Sequence, residues 1–287
     1  IMSGVAGDFM PPCQGGDGTL IVKALLEELN LSLSEIEKLE TIPYSMLANA
    51  YLKVAPALQK AGAYVGNNPM INDYYLGEPQ MTLFTEQAKK TPLMVGTVFG
   101  EMSFAPVTYN KLKLHSHFKD QTQNIIEAFL KAYPDKKIID LLNIDTLFRL
   151  MSKQLISAKS KYQQAPTYNY IFTLDFPCQF GKPAWHCSDI PFVFHNIDKV
   201  PVANIEGVSE KLQEQMFKSV IAFAYTGNPN HDGLPQWDAC QPEHEITMIF
   251  DKDCVVRENF DNELLKLLKQ VLPEFSLEML MNTAIQH

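Results

Sequence analysis

Apolar positions at Leu20, Ile21, Ala24, Leu25 and Leu29 recur at helical spacing and predict a helix over 19–29. Ser34 followed by Glu37 has capping-box spacing and predicts the start of a short helix. A further helix is expected from Ser45 to about Lys60, kinked or broken at Pro56. The connector Gly66-Asn67-Asn68-Pro69 then interrupts the helical pattern. Pro92 to Thr97 is a short unbroken apolar run between turn formers, the form of a strand buried on both faces. Tyr168 to Leu174 is rich in β-formers and predicts a second central strand. Between them, 121–163 reads as helix in several pieces, broken at Pro134 and near Asn143. Ser209 to Tyr225 is a long helix with Gly227 at its C-terminal cap. Ile246–Phe250 and Cys254–Arg257 predict a small terminal hairpin, followed by helices over 262–271 and 276–285. The first four residues, Ile1-Met2-Ser3-Gly4, are strand-like.

The order strand, helical insertion, strand, helices predicts an α/β protein with a parallel sheet. Few strands are visible for so many helices, so part of the sheet is expected to lie outside this sequence. The apolar opening at Ile1 reads as a cut through a longer protein. Residues 1–287 are expected to form one part of a single domain, with the helical insertion at about 105–165.

Composition narrows the function classes. Apolar residues make up 46% and charged residues 20%, as in ordinary globular proteins. The 24 basic and 33 acidic residues give a net charge of −9, which disfavours nucleic acid and anionic lipid as partners. No run approaches the ~18 apolar residues of a membrane span, and the opening residues lack a signal-peptide pattern. Five widely spaced cysteines (Cys13, Cys178, Cys187, Cys240, Cys254) form no Cys-x-x-Cys pair. Free thiols in a reducing compartment, the cytoplasm, are expected.

Two residues stand where chemistry collects in such folds, just past the carboxyl ends of strands. Glu101 follows the first central strand within Val98-Phe99-Gly100-Glu101-Met102-Ser103-Phe104. A carboxylate among apolar neighbours suits the orienting partner of a histidine, although a solvated loop acid fits the same position. His186 follows the second strand within Ala184-Trp185-His186-Cys187-Ser188-Asp189-Ile190-Pro191-Phe192. An apolar, aromatic setting suits a general base, and equally a structural loop histidine. Taken together, acid then histidine is the chain order of an α/β-hydrolase triad. The nucleophile is missing: no serine in the 287 residues sits in Gly-x-Ser-x-Gly. Phe99, Met102, Phe104, Trp185 and Cys187 are candidate walls of a substrate pocket, and packing is the plainer role for the aromatic and Met side chains. Cys187 is poorly placed as a nucleophile, because adjacent residues rarely aim at each other. His115-Ser116-His117 lacks a third ligand, so no metal and no cofactor is expected.

At these residues the sequence resembles the carboxylesterase type B family, which includes para-nitrobenzyl esterases, cholinesterases and non-catalytic adhesion members. Pro92 to Phe104 resembles the family's Gly-Thr-x-x-x-Glu-Gly-x-x-Phe segment, with Met102 where glycine is usual. Ala184 to Phe194 resembles His-Gly-x-Glu-Ile-Pro-Phe-x-Phe, with Cys187 replacing glycine. Pro69 to Leu76 resembles Pro-x-x-Asp-Gly-x-x-Leu, with Asn72 and Asp73 in place of Asp-Gly. Phe223-Ala224-Tyr225-Thr226-Gly227-Asn228-Pro229-Asn230, Leu234-Pro235-x-Trp237 and Met248-Ile249-Phe250-Asp251 follow in the same order. The resemblance implies a hydrolase of small carboxylic esters, with Glu101 as the triad acid and His186 as the base. It implies that the serine and oxyanion hole lie in an N-terminal half, which becomes a required partner, and that this chain alone is inactive. A homo-oligomer through the uncovered surface is also expected. The competing reading is a non-catalytic binding module of the same fold.

Overall fold

The computed structural model describes residues 1–4, 18–63, 84–101 and 111–271. The Pro69–Leu76 stretch, Met102, Phe104, Cys13 and the helix expected at 276–285 lie outside the described residues. Strand β1 (Met2–Ser3) opens the chain. Two compact units follow from the backbone contacts, Asp8–Pro79 and the remainder, Ile1–Gly7 with Gln80–His287.

The smaller unit contains helix α1 (Thr19–Glu28), a 3-10 helix at Leu33–Glu40 and helix α2 (Tyr44–Lys60). α1 packs against α2, burying Leu25, Leu26, Ala50 and Ala55, and Lys53 pairs with Glu28 at 2.5 Å. The capping box is two residues earlier than the sequence spacing suggests, at Ser32 and Glu35 rather than Ser34 and Glu37. The Glu35 carboxylate accepts from the Ser32 backbone N–H at 3.0 Å and from its hydroxyl at 2.7 Å. α2 does not break at Pro56 but runs on to Lys60.

The larger unit continues with α3 (Glu86–Lys90), β2 (Leu93–Val98), α4 (Lys111–Phe118), α5 (Thr122–Ala132) and α6 (Phe148–Ser160). Next come β3 (Thr167–Phe172), the two-residue strands β4 (Asp175–Phe176) and β5 (Lys182–Pro183), and α7 (Ile190–Val193). The chain finishes with α8 (Ser209–Thr226), β6 (Ile246–Phe250), β7 (Val255–Glu258) and α9 (Asn262–Val271). Gly227 caps α8 in the left-handed region at φ 74°, a conformation glycine adopts without steric cost.

Among the described residues the main sheet has five strands in the order β1-β2-β3-β6-β7. The first four are parallel, and β7 runs antiparallel to β6. The terminal hairpin is therefore the edge of the main sheet rather than a separate feature, and the sheet is mixed. β2 and β3 are buried almost throughout, which explains why both read as unbroken apolar runs. Their register sets Val98 beside Phe172, and Phe172 beside Phe250, so β2, β3 and β6 end level. Gly96 is required inside β2 because the Tyr170 ring crosses it. A Cβ there would stand 1.7 Å from Tyr170 Cζ.

Candidate active site

Two backbone segments continue the sheet past its carboxyl edge. Phe99 N–H donates to Phe172 O at 2.9 Å, and Gly100 N–H donates to Ala184 O at 2.9 Å. Gly100 and Trp185 form an isolated parallel bridge. The loop after β2 and the segment after β5 are thus pinned side by side, and each carries one of the two candidate side chains, Glu101 and His186.

Glu101 is buried, 4% exposed. Its Oε1 accepts the Val98 backbone N–H at 3.0 Å. Its Oε2 lies 2.6 Å from His186 Nδ1, the distance of a charge-assisted bond. A buried carboxylate can only accept here, so the proton sits on Nδ1 and Nε2 is left as the basic nitrogen. The imidazole is half exposed, with a 48% accessible side chain against 5% for Glu101. A protected orienting acid and an open base are what proton transfer to an incoming group requires.

The histidine loop is anchored by aromatic packing. Trp185 lies on Phe176 at 4.5 Å, and Phe172 holds Phe192 at 5.1 Å. Ser188 closes a tight turn, its N–H donating to Trp185 O at 2.9 Å while its Oγ accepts from Trp185 N–H at 3.1 Å. Cys187, the third residue of that turn, has φ 67°, a left-handed conformation that favours glycine. Its side chain is exposed, and partial desolvation, followed by the charges of Asp189 and Glu101, raises its thiol pKa.

The structure redistributes the expected pocket residues. Trp185 and Cys187 flank His186 in the same turn. The Phe99 ring is buried in the core, with Tyr133 at 5.1 Å and Phe129 at 6.3 Å edge-on. Phe99 reaches the site through its backbone instead. Met102 and Phe104 lie outside the described residues. His115 and His117 sit on α4, and among the described residues no cluster of three His, Cys, Asp or Glu could hold a metal. Among the described residues no helix is long and apolar enough to cross a membrane.

Three further residues surround the pair. Asp145 is buried; burial and then the Glu101 charge push its carboxyl up to about 7. Asp189 is likewise buried and pushed up to about 6 by burial and then Glu101, while Tyr170 O–H, at 3.4 Å, and His186 oppose the rise. The Phe148 ring lies 6.1 Å from the imidazole, tilted by 30°. Asp145 has a signal in the sequence: an Asp just ahead of an apolar helical run is a capping residue. Phe148 and Asp189 carry none that separates them from packing residues.

The parallel sheet and the buried carboxylate–imidazole pair beyond its strands define an α/β-hydrolase-like protein. The chain belongs to the Carboxylesterase family, which matches residues 21–267. It is 25% identical over 256 residues to the para-nitrobenzyl esterase of Bacillus subtilis (strain 168), covering 84% of this chain and 50% of that protein. It superposes with a TM-score of 0.82 on an esterase from anaerobic Clostridium hathewayi that can hydrolyse aliphatic aromatic polyesters. Identity there is 46%, covering 95% of this chain and 56% of that one. A thermophilic para-nitrobenzyl esterase shares the fold at 22% identity and a TM-score of 0.55. The chain therefore spans about half the length of these relatives.

Proposed function

We propose that this chain supplies the acid and the base of a serine carboxylesterase, with the serine and oxyanion hole on a further segment outside this sequence. The observation that carries the proposal is the 2.6 Å bond between buried Glu101 and the Nδ1 of open His186. Family membership supports ester hydrolysis, and the absence of Gly-x-Ser-x-Gly from the 287 residues supports a nucleophile elsewhere.

In this reading Nε2 of His186 takes the proton of the serine hydroxyl as the hydroxyl attacks the ester carbonyl. The imidazolium then returns that proton to the leaving alcohol. Water repeats the sequence on the acyl-enzyme. Glu101 holds the tautomer and stabilises the imidazolium, keeping its own charge. Cys187 and Trp185 border the pocket, and residues 1–287 form part of a single hydrolase domain in the cytoplasm. The 46% identical C. hathewayi esterase can hydrolyse aliphatic aromatic polyesters, which supports an aliphatic–aromatic ester as the substrate class here. Alone, the chain neither turns over substrate to any useful degree nor stays monomeric, because β1 at the sheet edge is the pairing surface for the missing strands. A bridge from Glu101 to His186 gives a purely binding module no advantage, which favours the catalytic reading.

A fluorophosphonate probe tests the assignment, because it labels only an activated serine. Co-expressed with the segment encoded ahead of Ile1, the parent pair should be labelled on that segment. Labelling should fall by at least about 1,000-fold with His186→Ala. Labelling that is unaffected by His186→Ala would sink the reading.

A further inference from the structure

The acid loop is held at three backbone points. Two of them, Phe99 N–H to Phe172 O and Gly100 N–H to Ala184 O, merely prolong the sheet. The third comes from a distant part of the chain: Asp145 N–H donates to Phe99 O at 2.8 Å. The Asp145 side chain turns the other way, into the start of α6. Its Oδ1 accepts from the N–H groups of Leu147 at 3.0 Å and Phe148 at 3.2 Å, and its Oδ2 from Arg149 N–H at 2.6 Å. These are the orphan donors of a helix N-terminus, so one buried carboxyl fixes where α6 begins. The second residue it fixes, Phe148, places its ring against the His186 imidazole. Phe148 also lies beneath Gly4, whose added Cβ would stand 3.1 Å from Phe148 Cδ1.

We propose that Asp145 is a positioning residue for the Glu101–His186 pair. Through its own N–H it sets the loop that carries the acid, and through Phe148 it sets the plane of the base. The two halves of the pair come from loops after different strands, and Asp145 is joined to both by one short turn. Its action is through shape rather than charge. The Glu101 charge beside it works against a second negative charge there, while the N–H bonds that Asp145 accepts fix the turn.

The inference rests on the reading of Glu101 and His186 as acid and base, but its test needs no catalysis. Long-range ¹H–¹⁵N correlation at mildly alkaline pH reports which ring nitrogen of His186 carries the proton. Free neutral imidazole favours Nε2–H, whereas the Glu101 bond enforces Nδ1–H. The parent chain should show a single Nδ1–H tautomer that is lost in Glu101→Gln. Asp145→Ala should give a mixture shifted towards Nε2–H, with α8 and β6 amide signals unchanged, and Asp145→Asn should fall between that mixture and the parent, because its amide oxygen still accepts from Leu147 and Phe148 while its NH2 group cannot accept from Arg149. Phe148→Leu, which leaves the cap intact, should give a smaller shift in the same direction. An Asp145→Ala spectrum with the parent's Nδ1–H signal overturns the inference while the pair stands. A parent without that signal removes the pair itself. If Asp145→Ala does not fold, Phe148→Leu with the parent's tautomer overturns it.

Discussion

At the scale of single residues, the site is built on positions that are costly in isolation. Asp145 is a buried carboxyl whose pKa is pushed from the usual 3.8 to about 7, first by burial and then by Glu101. In the native state it keeps its proton to higher pH than in the unfolded chain. Native protein then binds more protons between about pH 4 and about pH 7, so this group's contribution to stability falls as pH rises through that window. The difference in Tm between the parent and Asp145→Asn should therefore shift against the parent from the acid to the neutral end. A pH-independent difference would contradict the assignment. Cys187 shows a different cost, a side chain at φ 67°. A left-handed non-glycine residue costs roughly 1–2 kcal/mol, and glycine's entropy returns part of that. Cys187→Gly should raise stability by up to about 1 kcal/mol in urea unfolding, and a loss would argue against strain in the turn. The sequence pointed to Glu101 and His186 because their chemistry and chain order are distinctive. For Phe99 it leaves packing and pocket lining both open, with packing the plainer role, and the ring faces the core; a single aromatic next to a strand end carries no mark of which side it faces.

At the scale of elements, α6 is joined to the sheet by charge. Arg149, 1% exposed, binds Asp261 at 2.8 Å and Glu245 at 2.7 Å, and Lys153 reaches Asp261 at 2.7 Å. Lys153 also contacts Glu245, which in turn accepts from Asn169 of β3. Burial works against the Asp261 charge, but Arg149 and Lys153 overcome it and hold its pKa well below the usual range. Removing one member strands the rest in a dry interior, at a cost of about 3–5 kcal/mol. Arg149→Met should lower unfolding stability by that much, and a change under about 1 kcal/mol would show the network to be incidental. Because Asp145 accepts from the first N–H groups of the same helix, the network also holds the start of α6 beneath the site. The strands and long helices were legible from periodicity, since β2 and β3 are buried on both faces and α8 ends at a positive-φ glycine. The ionic ties between α6, β6 and α9 were not, because residues more than ninety positions apart give no local pattern. The capping box lies two residues ahead of its sequence-expected place for a related reason. Ser32 and Ser34 stand in the same short polar run, and only the backbone geometry separates them.

At the scale of the whole molecule, the proposed role is that of a chemical half. The order β1-β2-β3-β6-β7 brings the loops after β2 and β3 together and leaves β1 at an edge. Glu101 and His186, the acid and base of the proposed triad, are held by backbone bonds that do not depend on a nucleophile, which is why the pair is formed in this chain already. Catalysis needs more, since attack on an ester carbonyl requires the serine and donors for the oxyanion. That requirement was readable as a missing motif, whereas the half-exposed face of His186 was visible only in three dimensions. The most direct test is hydrolysis of p-nitrophenyl butyrate by this chain alone and by its complex with the segment encoded ahead of Ile1. The account predicts negligible turnover alone, turnover in the complex, and a loss of at least about 1,000-fold in the complex carrying His186→Ala. Ordinary esterase turnover by the chain alone, or a complex indifferent to His186, would contradict it.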